Sequence, residues 1–146
     1  MLPRVWILLA ALIGASGVGL GAFHAHGLKG WLERNGVAED AQQKRIDNCE
    51  TAVRYQMFHA PVLLLIGVWS LRDASRILSV AAVLLLLGLL GFSGGLYRGV
   101  FTGNLGHWAI VPAGGACLIL SWLALGVSAL RQHSLLRQHS MGPTRN

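Results

Sequence analysis

Four apolar runs, each close to the length of a bilayer crossing, leave this chain little freedom in how it folds. A spanning helix needs about 20 mostly apolar residues, and in lipid only a helix or a closed barrel satisfies every backbone hydrogen bond. Residues 5–23, 77–97 and 108–130 meet that requirement directly. The run Met57–Leu71 is short, so the second span must begin near Ala52, which brings Arg54, Gln56 and His59 to the membrane edge. Pro61, inside this span, removes one backbone hydrogen bond and is expected to kink or loosen it. Only 12% of the 146 residues are charged, about half the share of a soluble domain. The length allows one compact unit.

The net charge of +6 does not point to nucleic acid, because the basic residues lie between and beyond the apolar runs and form no basic motif. Arg4 followed by an apolar stretch resembles a signal peptide. The stretch is longer than the usual apolar region of such a signal and has no clean small-residue cleavage site, so it reads as a span. Cys49 sits in the polar connection and Cys117 inside the fourth run, so no disulfide is expected between them.

The connection from Gly27 to Thr51 is the one long polar segment, with Asn35-Gly36 as a break. After it, Ile46, Cys49, Val53 and Met57 recur at helical spacing. The spacing predicts one helix from about Ala38 to Leu71, first along the membrane surface and then through it. The expected fold is therefore all-α: a polytopic four-transmembrane-helix bundle, with an amphipathic helix preceding and continuous with the second span. Residues 131–146 read as a polar C-terminal tail that frays, with Pro143 in it.

Loop charges set orientation. Arg4, Arg72, Arg76, Arg131, Arg137 and Arg145 fall on one side, with the acid Asp73. Lys29, Arg34, Lys44, Arg45, Arg54 and Arg98 fall on the other. The first set lies mostly close to helix ends, so both termini are expected in the cytoplasm and the chain in a bacterial inner membrane.

Gly17 and Gly21 in the first span, and Gly91 and Gly95 in the third, form G-x-x-x-G pairs. Small residues let helix backbones approach closely in lipid. Packing within the bundle is the preferred reading, and self-association the other. Gly114-Gly115 after Pro112 is likewise read as close packing. Ser93 and Ser121, in apolar helices, are expected to bond back to their own helix. Trp6, Tyr97 and Trp108 are expected in the interfacial aromatic belt.

Chain direction alone brings one set of polar groups to a single membrane edge: His24, His26, Arg54, Tyr55, Gln56, His59, Tyr97, Arg98 and His107. On the second span Asn48, Thr51, Tyr55 and His59 form a stripe flanked by Gln56. Such a stripe should face the bundle interior or water, since polar groups are costly in hydrocarbon. The candidate cluster is His26, Arg54, Tyr55, Gln56, His59, Tyr97 and His107, acting as structural hydrogen-bond partners or as a ligand site. His24, His26, His59 and His107 are the candidates for a metal. No metal-binding or nucleophile motif accompanies them, and all six acids lie outside the apolar cores.

Taken in order, Gly21-Ala22-Phe23-His24-Ala25-His26-Gly27-Leu28, Thr51-Ala52-Val53-Arg54-Tyr55-Gln56-Met57-Phe58-His59, Phe92-Ser93-Gly94-Gly95-Leu96-Tyr97 and Pro112-Ala113-Gly114-Gly115 resemble domain of unknown function 423. That family of small membrane proteins includes transmembrane protein two-five-six of animals. The resemblance implies four transmembrane helices and no established activity, with His26, Tyr55, Gln56 and His59 at matching motif positions. His24 and Pro61 depart from the pattern.

Three functions remain open. The leading expectation is a non-enzymatic accessory or scaffolding subunit of a larger membrane assembly of respiratory or oxidase type, without a cofactor. Its partners would be the lipid bilayer and other membrane-protein subunits, or a second copy of itself, and no nucleic acid. The second is a binder of haem, a metal, a quinone or a lipid headgroup at the histidine edge. The third is a transporter or channel.

Overall fold

The computed structural model describes residues 3–72 and 75–140. Within them the chain is helical, running α1 (Pro3–His26), α2 (Leu28–Arg34), α3 (Glu39–Ser70), α4 (Arg76–Thr102) and α5 (Ile110–Ser140). Four helices are long and apolar enough to cross a membrane: α1, α3, α4 and the Ile110–Arg131 part of α5. The expected all-α membrane bundle is what the chain forms.

Local chemistry sets the helix ends. Ser75 caps α4, its hydroxyl accepting the Ile77 N–H at 3.2 Å. Gly103 ends α4 in the left-handed conformation (φ +76°), its N–H donating to the Gly99 carbonyl. Glu39 and Asp40 in the first turn of α3 favour the positive end of its dipole. α3 runs unbroken through Pro61, which lies on an exposed face.

Two segments depart from the sequence reading. The polar connection contains α2, whose Leu28 and Leu32 are fully buried against Cys49 and Val100, with Phe23, Trp31, Val37 and Tyr97 around them. This second core clamps the surface half of α3 to the end of α4. Its source is Leu28 with Trp31 and Leu32 on one face of a helix too short to show a period. At the other end, α5 continues to Ser140 through the segment read as a fraying tail. Asp73, Pro143 and Arg145 lie outside the described residues.

The main core draws on all four spans: Trp6 and Ala10, Leu63 and Ile66, Leu78 through Leu89, Leu118 and Leu125. Trp6 is therefore not a belt residue. It is 1% exposed, and its Cβ lies 3.2 Å from where a Cβ on Gly67 would sit. Trp108, 80% exposed, remains at the edge. Cys49 and Cys117 are both free.

The extensive packing runs in chain order: α1 on α3, α3 on α4, α4 on α5. Glycine lines the first and the last of these seams. Gly17 faces Met57 and Gln56, and Gly21 faces Val53, across the α1–α3 seam. Gly88 faces Leu118, Gly91 faces Gly114, and Gly95 faces Val111, across the α4–α5 seam. Both G-x-x-x-G pairs thus lie on faces covered within the chain.

Candidate functional site

Helix α3 carries the polar centre of the bundle. Gln56 and His59 are buried at one helical turn's separation, and each binds a different neighbour. The Gln56 amide nitrogen donates to the Ile13 carbonyl at 2.8 Å and to the Ser16 hydroxyl at 2.9 Å, both on α1. Its oxygen accepts the Tyr97 hydroxyl proton from α4 at 2.8 Å. One side chain therefore ties three helices together.

His59 reaches across from α3 to α5. Its Nδ1 lies 2.7 Å from the Tyr55 carbonyl oxygen, which can only accept, so Nδ1 carries the ring proton. Its Nε2 then accepts the indole N–H of Trp122, on α5, at 3.3 Å. Tyr55 packs on Phe92 with ring centroids 4.4 Å apart, completing an aromatic group of Tyr55, His59, Phe92 and Trp122. With both ring nitrogens engaged, His59 has no free lone pair for a metal or a haem iron.

The remaining sequence candidates stand elsewhere. Arg54 is exposed and pairs with Glu50. His107 is exposed, takes the Ala109 N–H on Nδ1 and lies against Trp108. His26 is exposed, while His24 is half-buried, its Nε2 without a hydrogen-bond partner among the described residues. No group of three or more His, Cys, Asp or Glu side chains suited to a metal ion gathers among the described residues.

Sequence reasoning missed three members. Trp122 gives no signal, because one tryptophan in an apolar run does not name its partner. Ser93 and Ser121 do not bond back to their own helices. Ser93 donates to the Ala52 carbonyl of α3 at 3.0 Å, and Ser121 to the Ala81 carbonyl of α4 at 2.8 Å. Close seams bring a neighbouring carbonyl within reach, and the glycines around Ser93 were the visible hint.

Between α1 and α4, floored by Gln56, lies a groove of about 450 Å³. Its walls are mostly leucine and isoleucine, among them Leu9, Ile13, Leu86 and Leu90, with Ser16, Ser93, Gly94 and Tyr97 at small or polar points. The donors of its four polar side chains are all in use. Gln56 gives both amide protons to α1, Tyr97 gives its proton to Gln56, Ser93 to Ala52, and Ser16 to the Ile13 carbonyl. Only acceptor capacity is left facing the groove. A quinone carbonyl, itself an acceptor, finds no side-chain donor there.

The family model described as a protein of unknown function, DUF423, matches residues 20–115. The chain is 38% identical over 128 residues to a UPF0382 membrane protein of Staphylococcus haemolyticus, across 88% of this chain and 97% of that one. It is 34% identical over 131 residues to a UPF0382 membrane protein of Haemophilus influenzae, across 89% and 97%. It is 35% identical over 130 residues to the UPF0382 membrane protein YwdK of Bacillus subtilis, across 88% and 98%. No solved structure matches.

Proposed function

The chain belongs to the DUF423 family of membrane proteins, and from that premise we propose that it is a non-enzymatic accessory or scaffolding subunit whose α1–α4 groove receives a transmembrane helix. One observation carries the reading: the groove's side-chain donors are all used inside the chain, so it offers shape and apolar surface rather than chemistry. Helix contacts in lipid rely on close packing at small residues, and Ser16, Ser93 and Gly94 line this groove. The occupied nitrogens of His59 and the paired Gln56 and Tyr97 give the polar centre a structural role, without a cofactor. The same pairing disfavours a transport path, which needs polar groups free to exchange partners with a solute.

A photo-crosslinking side chain tests this in native membranes at native expression. At Leu90, 71% exposed on the groove wall, it should give one membrane-protein adduct, either a partner subunit or a second copy. At Leu120 on α5 it should give lipid only. Lipid adducts alone from both positions, or a haem absorbance band or stoichiometric metal in the purified protein, would overturn the reading. Comigration of the Leu90 adduct with a haem-containing complex on a native gel would identify an assembly of the respiratory type.

The reading includes a bacterial inner-membrane location with both termini in the cytoplasm. Arg4, Arg72, Arg76 and Arg131, all near span ends, support this orientation. A C-terminal green fluorescent protein fusion should fluoresce, and a C-terminal alkaline phosphatase fusion should be inactive. The reverse pattern would invert the topology.

A further inference from the structure

A second cavity lies at the membrane edge, apart from the groove. It measures about 470 Å³ and sits between the surface half of α3 and the link joining α4 to α5. Lys44, Arg45 and Asn48 come from α3, and Gly103, Gly106 and Trp108 from the far side. The two glycines have positive φ, +76° and +81°, and they leave room for cations. A Cβ on Gly103 would lie 3.2 Å from the Arg45 Cζ, and one on Gly106 3.3 Å from the Arg98 Cζ.

The charge here is uncompensated. Arg45 donates one hydrogen bond, to the Val100 carbonyl at 3.1 Å near the C-terminus of α4, which leaves most of its donors free. Among the described residues the one ion pair is Arg54 with Glu50, so Lys44, Arg45 and Arg98 have no carboxylate within bonding distance. On this stretch of α3, Asp47 accepts from Gln43 at 2.8 Å, and Asp40, one turn before Lys44, forms no ion pair with it. No acid lines the cavity. Its rim carries Trp108, the most exposed large apolar side chain described, and tryptophan favours the headgroup level of a bilayer.

We propose that this cavity binds the phosphate headgroup of an anionic phospholipid. Lys44 and Arg45 meet the phosphate, and Trp108 lies beside the glycerol and upper acyl region. Free Lys and Arg donors meet a phosphate by charge-assisted hydrogen bonds, which an apolar wall or a neutral headgroup does not offer. Arg45 is already held by Val100, so its guanidinium needs little further ordering. The site makes no use of Gln56, His59 or the α1–α4 groove.

Native mass spectrometry of the detergent-solubilised chain with added phosphatidylglycerol or phosphatidylcholine tests the proposal. Phosphatidylglycerol should be retained preferentially. Lys44→Gln should weaken its retention about fivefold, the loss expected for one surface cation, and Lys44→Glu should weaken it further. Lys44 is exposed, so the thermal melting of both variants should match the parent and separate lost binding from lost fold. Arg72→Gln, which removes a cation at the opposite edge, should retain the lipid as the parent does. Equal retention of phosphatidylcholine would remove the preference for an anionic headgroup, and an equal loss in Arg72→Gln would reduce the effect to general surface charge; either would overturn the site. Displacement of phosphatidylglycerol by millimolar inorganic phosphate would overturn the lipid as its ligand.

Discussion

Replacing Gly114 by alanine should destabilise the protein by about 3 kcal/mol, at the upper end of what one added methyl costs in a packed core. The α4–α5 seam is tightest here, and the obstacle is backbone. A Cβ on Gly114 would come within 2.6 Å of the Gly91 carbonyl carbon and 2.9 Å of the Phe92 Cα. Main chain cannot rotate away as a side chain can, so relief requires the two helices to separate. Separation would also loosen the Ser121 to Ala81 bond and the contact of Gly88 with Leu118. Gly126→Ala, where nothing lies within 4 Å of the new methyl, should leave stability unchanged or slightly raised. Unfolding by detergent titration or steric trapping compares the two. Similar losses in both would mean that the seam does not depend on Gly114.

Gln56→Leu is expected to cost about 2–3 kcal/mol. It keeps the bulk but removes three hydrogen bonds linking α1, α3 and α4, each worth about 0.6 kcal/mol on average between membrane helices and up to about 1.7. It also leaves the half-buried Tyr97 hydroxyl to find another acceptor, which adds to the loss. Tyr97→Phe should cost about 1 kcal/mol alone and nearly nothing in the Gln56→Leu background. A double-mutant cycle reads this as a coupling of about 1 kcal/mol. Additive losses would mean that the two side chains do not interact.

Run length and spacing made much of this architecture legible. Four apolar stretches gave the spans, because lipid permits so few backbone solutions. Helical spacing through Ile46, Cys49, Val53 and Met57 revealed α3 as one continuous helix crossing from polar surroundings into the membrane. What escaped depends on the neighbour rather than on the helix itself. Trp6 reads as an interfacial anchor until Gly67 opens a recess for it on α3. Ser93 and Ser121 look self-bonded until a neighbouring carbonyl comes within reach. The polar stripe through Tyr55 and His59 was visible, but Gln56 reads as its flank, although its amide makes more interhelical bonds than any other described side chain. Periodicity shows which residues share a face. It does not show which of two polar neighbours meets a partner, and Trp122 carries no mark of its bond to His59.

The order of packing has a consequence for how the protein is made. Each span docks chiefly on the span synthesised just before it: α3 on α1, α4 on α3, α5 on α4. A helix leaving the insertion machinery therefore meets its mate already in the bilayer, and no seam waits for a distant segment. Short-range assembly of this kind is fast and leaves little sticky surface exposed on the way. The bundle can thus grow like a fence, panel by panel from the N-terminal end, with Gln56 latching α1 to α3 first and then accepting a hydrogen bond from Tyr97 when α4 arrives.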